Sequence, residues 1–144
     1  DSVLQERPWE VLASDISTRV LETARSGRYP LAQAERIPKH HLLRYCLKGI
    51  GSQEGCFMID NELRRRVSFF HANLLAPPQG LGVFDVIFLR NVMIYFDIET
   101  KRQVVAGLLP RLKRGGHLII GHSESLNGIT GELQMLAPSI FRKN

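Results

Sequence analysis

No apolar run in the chain approaches the roughly 20 residues that a membrane-spanning helix requires. The first residues, 1–6, have neither a basic start nor an apolar core, so no secretory leader is expected. Cysteine is scarce, with only Cys46 and Cys56. They form no metal-ligand pattern, and a cytosolic setting argues against a disulfide, so they read as small, semi-buried side chains. Internal repeats and low-complexity tracts are absent. These absences lead to the expectation of one soluble, cytoplasmic domain without membrane insertion, and 144 residues are enough for it.

What is present is basic and ordinarily apolar. The net charge is +5 and the hydrophobic fraction 44%. Such a charge permits an acidic partner, either a carboxylate-rich protein surface or a nucleic acid, and does not choose between them. The densest basic run, Arg64-Arg65-Arg66, reads as a solvated helix or strand edge.

Short strand-like runs alternate with longer helical ones, the pattern of an α/β domain. Residues 9–14 read as a buried strand leading to Asp15. Ser17 is placed to cap the next helix, with Val20, Leu21 and Ala24 inward and Gly27 ending it in a left-handed turn. Pro38 suits the first turn of a short helix through Tyr45. Gly49, Gly51 and Gly55 then bend a β-hairpin whose return strand is 56–59, and segment 36–66 reads as a small β insertion. Residues 67–75 form a further strand candidate, and Phe84–Leu89 is the strongest strand in the chain. Asp97 is placed to cap a helix with the stripe Val104, Val105, Leu108, Leu109 and Leu112, broken near its end by Pro110 and closed by Gly115-Gly116. Residues 117–121 read as another strand, and 131–144 as an antiparallel pair turning at Ala137-Pro138.

In an open α/β sheet, ligands lie beyond the carboxyl ends of the strands. The sequence delivers Asp15, Asn73, Leu74, Arg90, Asn91, His122, Ser123 and Glu124 to such ends. This polar rim suits a nucleotide-like cofactor. A carboxylate such as Asp15 can accept from both hydroxyls of a ribose, or it can be a solvated turn or cap residue. The glycine-rich turn that would tell one dinucleotide or nucleoside cofactor from another belongs one strand earlier, outside these residues. Taken singly, Asn91 could be a turn cap and Arg90 a surface charge.

The run Phe84-Asp85-Val86-Ile87-Phe88-Leu89-Arg90-Asn91-Val92-Met93-Ile94-Tyr95-Phe96 resembles the fourth-strand signature of the CheR family, the chemotaxis receptor glutamate methyltransferases. So do Ala13-Ser14-Asp15-Ile16-Ser17, the hairpin 44–55, residues 67–75 and Gly121-His122-Ser123-Glu124-Ser125, in collinear order along the chain. The resemblance implies an incomplete Rossmann-like class I methyltransferase fold with a small antiparallel β-subdomain. It implies S-adenosyl-L-methionine as cofactor, S-adenosyl-L-homocysteine as product, and chemoreceptor glutamates as methyl acceptors in chemotactic adaptation. It implies no nucleic-acid partner.

By the same resemblance, Asp15 holds the cofactor ribose, Asn73 and Leu74 frame the adenine, and Arg90 and Asn91 line the pocket near its reactive end. Tyr95 stands by the transferred methyl, and residues 122–125 support the rim. The hairpin's Lys48, Gly49, Gly51 and Gly55 match the bend that captures a receptor tail in some members, while Met58 stands where some of those carry arginine. A purely structural hairpin is the alternative. The family's helical N-terminal domain, its first strand with the glycine-containing turn, and an upstream arginine for the substrate have no counterpart here, so the chain is expected to be an excerpt, its activity alone in doubt.

A glutamate side chain, with a reference pKa of about 4.3, is already a nucleophile at neutral pH. Such chemistry needs alignment and exclusion of water rather than a His-Asp or Cys-His pair. Amino methyltransferases of DNA place an Asn/Asp-Pro-Pro-aromatic turn after the fourth strand, where this chain has Arg90-Asn91-Val92-Met93. The rival readings are an inactive methyltransferase-like module that docks a receptor tail, a small-molecule methyltransferase, and an NAD-binding domain.

Overall fold

The computed structural model describes residues 8–144, so the leader reading at 1–6 lies outside the described residues. The chain divides into two compact units, Asp1–Ala72 and Asn73–Asn144. No helix among the described residues is long and apolar enough to cross a membrane.

In the first unit, β1 (Val11–Asp15) pairs in parallel with β5 (Val67–His71), with Asp15 opposite His71. Both strands therefore end at the same rim. β1 has no second sheet neighbour among the described residues, and Val11 and Leu12 are exposed, which corrects the expectation of a buried strand over 9–14. The strand expected over 67–75 stops at His71. Asn73 then accepts the Leu75 amide on its side chain at 2.9 Å, and a local side-chain acceptor of this kind favours a turn over a ladder.

Between these strands, α1 (Thr18–Ser26) begins at Ser17, whose hydroxyl accepts the Val20 amide at 3.3 Å. It ends at Gly27, whose φ of 62° is the left-handed cap read from the sequence. Leu21 is buried, whereas Val20 is 47% exposed and does not face inward as expected.

The antiparallel subdomain has the order β2-β4-β3, formed by β2 (Arg28–Pro30), β3 (Cys46–Lys48) and β4 (Cys56–Ile59), with α2 (Lys39–Tyr45) packed before β3. It starts at Arg28, earlier than the expected boundary at 36, because Arg28 and Tyr29 pair with Met58 and Phe57. A three-residue strand ending in Pro30 carries too short a pattern to be read from sequence. Cys46 and Cys56 are free thiols and half-buried, and burial raises the Cys46 pKa.

A short helix, α3 (Asn61–Arg64), precedes β5. The Arg64 side chain is not a solvated edge charge. Its guanidinium donates to the Arg25 carbonyl at 2.9 Å and to Asn61 Oδ1 at 3.2 Å. Arg66 lies over the Trp9 ring, 4.8 Å from its centroid. Within the run, Arg65 is exposed as expected.

The second unit is a four-stranded sheet, order β6-β7-β9-β8, with β6 (Phe84–Leu89) and β7 (Leu112–Ile120) parallel and β8 (Leu133–Ala137) and β9 (Ile140–Lys143) antiparallel. Against one face lies α4 (Ile98–Leu108), capped by the Asp97 carboxylate, which accepts the Thr100 amide at 2.8 Å. Leu89, Met93, Val104, Val105, Leu109, Leu112, Leu118, Ile120 and Phe141 form its core, with Leu108 packed at the margin. The predicted helical stripe is therefore the buried one. Pro110 sits in a 3-10 turn, Leu109–Arg111, that ends the helix. Gly115 and Gly116 do not close the helix as expected: they lie inside β7, where the register to β6 shifts between Phe84 and Val86. Gly116 is buried, and a Cβ there would stand 2.9 Å from the Asp85 carbonyl.

Candidate functional site at the strand ends

Alternation along β6 sends Ile87 and Leu89 into the core and leaves Val86 and Phe88 on the other face, Phe88 being 69% exposed. Because β6 and β7 run in parallel with Leu89 opposite Ile120, the residues that follow them emerge side by side. This brings 90–95 next to 121–124.

Asn91 has a φ of 59°, a left-handed turn that asparagine tolerates better than most residues. Its side-chain oxygen sits over Gly121, 2.5 Å from where a Cβ would be. A 3-10 turn, Met93–Tyr95, follows. Met93 is fully buried, while Tyr95 is 81% exposed and Arg90 is exposed. The structure thus places Arg90, Asn91 and Tyr95 on one short turn, with only Met93 and its neighbours anchored below.

The organiser of this turn is Glu124. Its Oε2 accepts the Asn91 amide at 2.9 Å and the Gly121 amide at 2.6 Å. Its Oε1 accepts the amides of Val92 at 2.9 Å and Met93 at 2.7 Å. Partial burial pushes the Glu124 pKa up, but the four amides outweigh it and hold the carboxyl below its ordinary value. The sequence marked 122–125 only as a supporting stretch. Glu124 was the residue of consequence within it, and a glutamate three residues after a glycine gave no local signal of partners 31 to 33 residues away.

Asp15 lies in the other unit, at the carboxyl end of β1. Its Oδ1 accepts the Ser17 amide at 2.8 Å, the geometry of the turn reading, and one carboxylate oxygen is not used by that bond. Opposite it in the sheet, His71 Nε2 lies 3.0 Å from the Ile16 carbonyl and ties the β5 end to the same turn. Asn73 is exposed and Leu74 packs on the core of the second unit. In the hairpin, Gly51 and Gly55 have positive φ, 58° and 83°. At Gly49 any side chain would run into the Gln53 carbonyl, while Lys48 is exposed on β3. No cluster of three or more His, Cys, Asp or Glu suited to a metal occurs among the described residues.

The chain is similar to proteins of known kind. It is 40% identical over 134 residues to the chemotaxis protein methyltransferase of Salmonella typhimurium, covering 92% of this chain and 46% of that one. The Escherichia coli protein of the same name gives 40% over 134 residues, 92% and 47%. That of Borreliella burgdorferi gives 35% over 136 residues, 94% and 47%. The chain therefore spans about half the length of these curated relatives. Among solved structures, the N-methyltransferase NodS from Bradyrhizobium japonicum WM9, in complex with S-adenosyl-L-homocysteine, superposes with a TM-score of 0.55 at 15% identity, over 93% of this chain and 66% of that one. That likeness establishes the class I methyltransferase fold expected for the chain. Residues 2–141 match the family described as CheR methyltransferase, SAM binding domain, and the chain belongs to that family.

Proposed function

We propose that the protein containing this chain is an S-adenosyl-L-methionine-dependent glutamate O-methyltransferase that acts in the cytoplasm on the cytoplasmic domain of chemoreceptors. The observation that carries this reading is the family match across residues 2–141, and the strand ends of each unit, taken separately, carry polar groups of a kind that suits the cofactor. Asp15 offers carboxylate acceptors to ribose hydroxyls, with Oδ1 already oriented by the Ser17 amide. Asn91 supplies a neutral amide whose oxygen packs on Gly121, where the lack of a Cβ leaves room for it. Asn73 and Leu74 frame the adenine, and Arg90 and Asn91 border the reactive end.

When bound, S-adenosyl-L-methionine supplies a methyl group activated on a sulfonium. The acceptor glutamate is ionised at neutral pH, with a reference pKa of about 4.3, so no side chain here has to remove a proton. The residues' work is alignment and exclusion of water. Tyr95, exposed on its turn, is placed to orient the incoming carboxylate.

A second feature concerns the receptor. β3 pairs with β4 alone among the described residues, and the Cys46 amide at its start donates to the Leu42 carbonyl of α2. An edge strand can accept an extended tail by strand addition. Lys48 and the bend formed by Gly49, Gly51 and Gly55 would receive a receptor's C-terminal tail there.

Calorimetry on the full-length protein tests the cofactor reading. S-adenosyl-L-homocysteine should bind and NAD should not, and Asp15→Ala should weaken binding about tenfold or more in a folded protein. Binding of NAD alone would sink the proposal. Unchanged affinity in Asp15→Ala would remove that residue from the site. Cofactor binding without transfer to receptor glutamates would favour a docking module.

A further inference from the structure

We infer that Glu124 is a positioning residue for methyl transfer, setting the course of the Asn91–Tyr95 turn from the loop of the neighbouring strand. The inference rests on the reading of that turn as the cofactor and acceptor turn.

A carboxylate has about four lone-pair sites, and all four of Glu124's are filled by backbone amides, two on each oxygen. No lysine or arginine among the described residues forms an ion pair with it. Its charge is held by converging amide dipoles, the arrangement of an anion nest. Three of the donors are consecutive, Asn91, Val92 and Met93, and they turn toward one point because Asn91 adopts a positive φ. Outside a helix or ladder, these N–H groups have no regular partner, so the carboxylate dictates the shape of the turn.

The space around the carboxylate is closed on the β7 side. A Cβ on Gly121 would lie 2.7 Å from Glu124 Oε2 and 3.0 Å from the Asn91 amide. The Glu124 amide in turn donates to the Gly121 carbonyl at 3.1 Å, which folds the side chain back under its own loop. Beyond the clamp, Met93 is buried in the core and Phe96 packs against it. Only Ile94 and Tyr95 are left to project. The positions of Asn91 and Tyr95 are therefore fixed by a residue that itself faces neither solvent-side ligand.

Glutamine is the informative replacement. It keeps the shape but offers one acceptor oxygen and points an NH2 group at two N–H donors. In the full-length protein, Glu124→Gln should lower kcat/KM for methyl transfer at least about tenfold. Glu124→Gln combined with Asn91→Ala should lose no more than the worse single variant, because both act through one turn. Unchanged kinetics in Glu124→Gln, or fully additive losses, would overturn the inference. Should Glu124→Gln not fold, hydrogen exchange on the wild type decides. S-adenosyl-L-homocysteine should slow exchange of the Asn91, Val92 and Met93 amides, and exchange left unchanged by bound ligand would count against the role. A wild type that binds no S-adenosyl-L-homocysteine overturns the cofactor reading itself, which separates the two failures.

Discussion

Glu124 ties acid sensitivity to the shape of a single turn. Its pKa is depressed in the folded state, below the ordinary value of 4.5, against the upward push of partial burial. A depressed carboxyl contributes stability that is fully present above its unfolded pKa and is lost as pH falls through the folded value. The thermal stability gap between wild type and Glu124→Gln should therefore be full near neutral pH and narrow as pH drops below about 4.5. Melting curves across that range check it, and a gap independent of pH would mean that the charge on Glu124 does not matter. The positions of Asp15 at the end of β1, and of Arg90, Asn91 and Tyr95 after β6, were legible in the sequence because each ends or follows a strand or belongs to a recognisable run. Glu124 was legible only as part of a signature. Its partners lie across the sheet, and no window along the chain contains them.

Among elements, those with strong local signals formed as read. β6, the cap at Asp97, the left-handed end at Gly27 and the return strand β4 each rest on side chains or periodicity within a few residues. The strand over 117–121 and the antiparallel pair over 131–144 also formed, whereas elements and bounds set by tertiary pairing alone were not legible. β2 exists because it pairs with β4, and β7 runs through Gly115 and Gly116 because β6 accepts the shifted register.

The same reasoning orders two glycine substitutions. Gly27→Ala places a side chain at positive φ and brings its Cβ to 2.8 Å from Arg64 Nε, in a guanidinium held by Arg25 and Asn61. Gly55→Ala meets the backbone strain alone, since open space surrounds it. Denaturant unfolding should show a loss of about 1–3 kcal/mol for Gly27→Ala and a smaller one for Gly55→Ala. Equal losses would mean that Arg64 gives way freely. In the second unit, Leu118→Ala removes a side chain from the centre of the core and should cost about 2–5 kcal/mol in the same measurement.

At the scale of the whole molecule, the chain spans about half the length of the curated relatives it matches. A net charge of +5 favours approach to an acidic partner, and Lys48 lies exposed on β3, which pairs with β4 alone among the described residues. If β3 receives a receptor tail, a peptide of that tail should bind the full-length protein, and Lys48→Glu should weaken it several-fold, more so at low salt. Tail binding that ignores both the substitution and the salt would assign the hairpin a structural role only.

The most direct measurement is transfer of a labelled methyl group from S-adenosyl-L-methionine by the full-length protein to the cytoplasmic domain of a chemoreceptor from the same cell. Label should appear on receptor glutamates as base-labile methyl esters. A cofactor-bound protein that leaves every receptor glutamate unlabelled, or that methylates a small molecule instead, would contradict the proposed function.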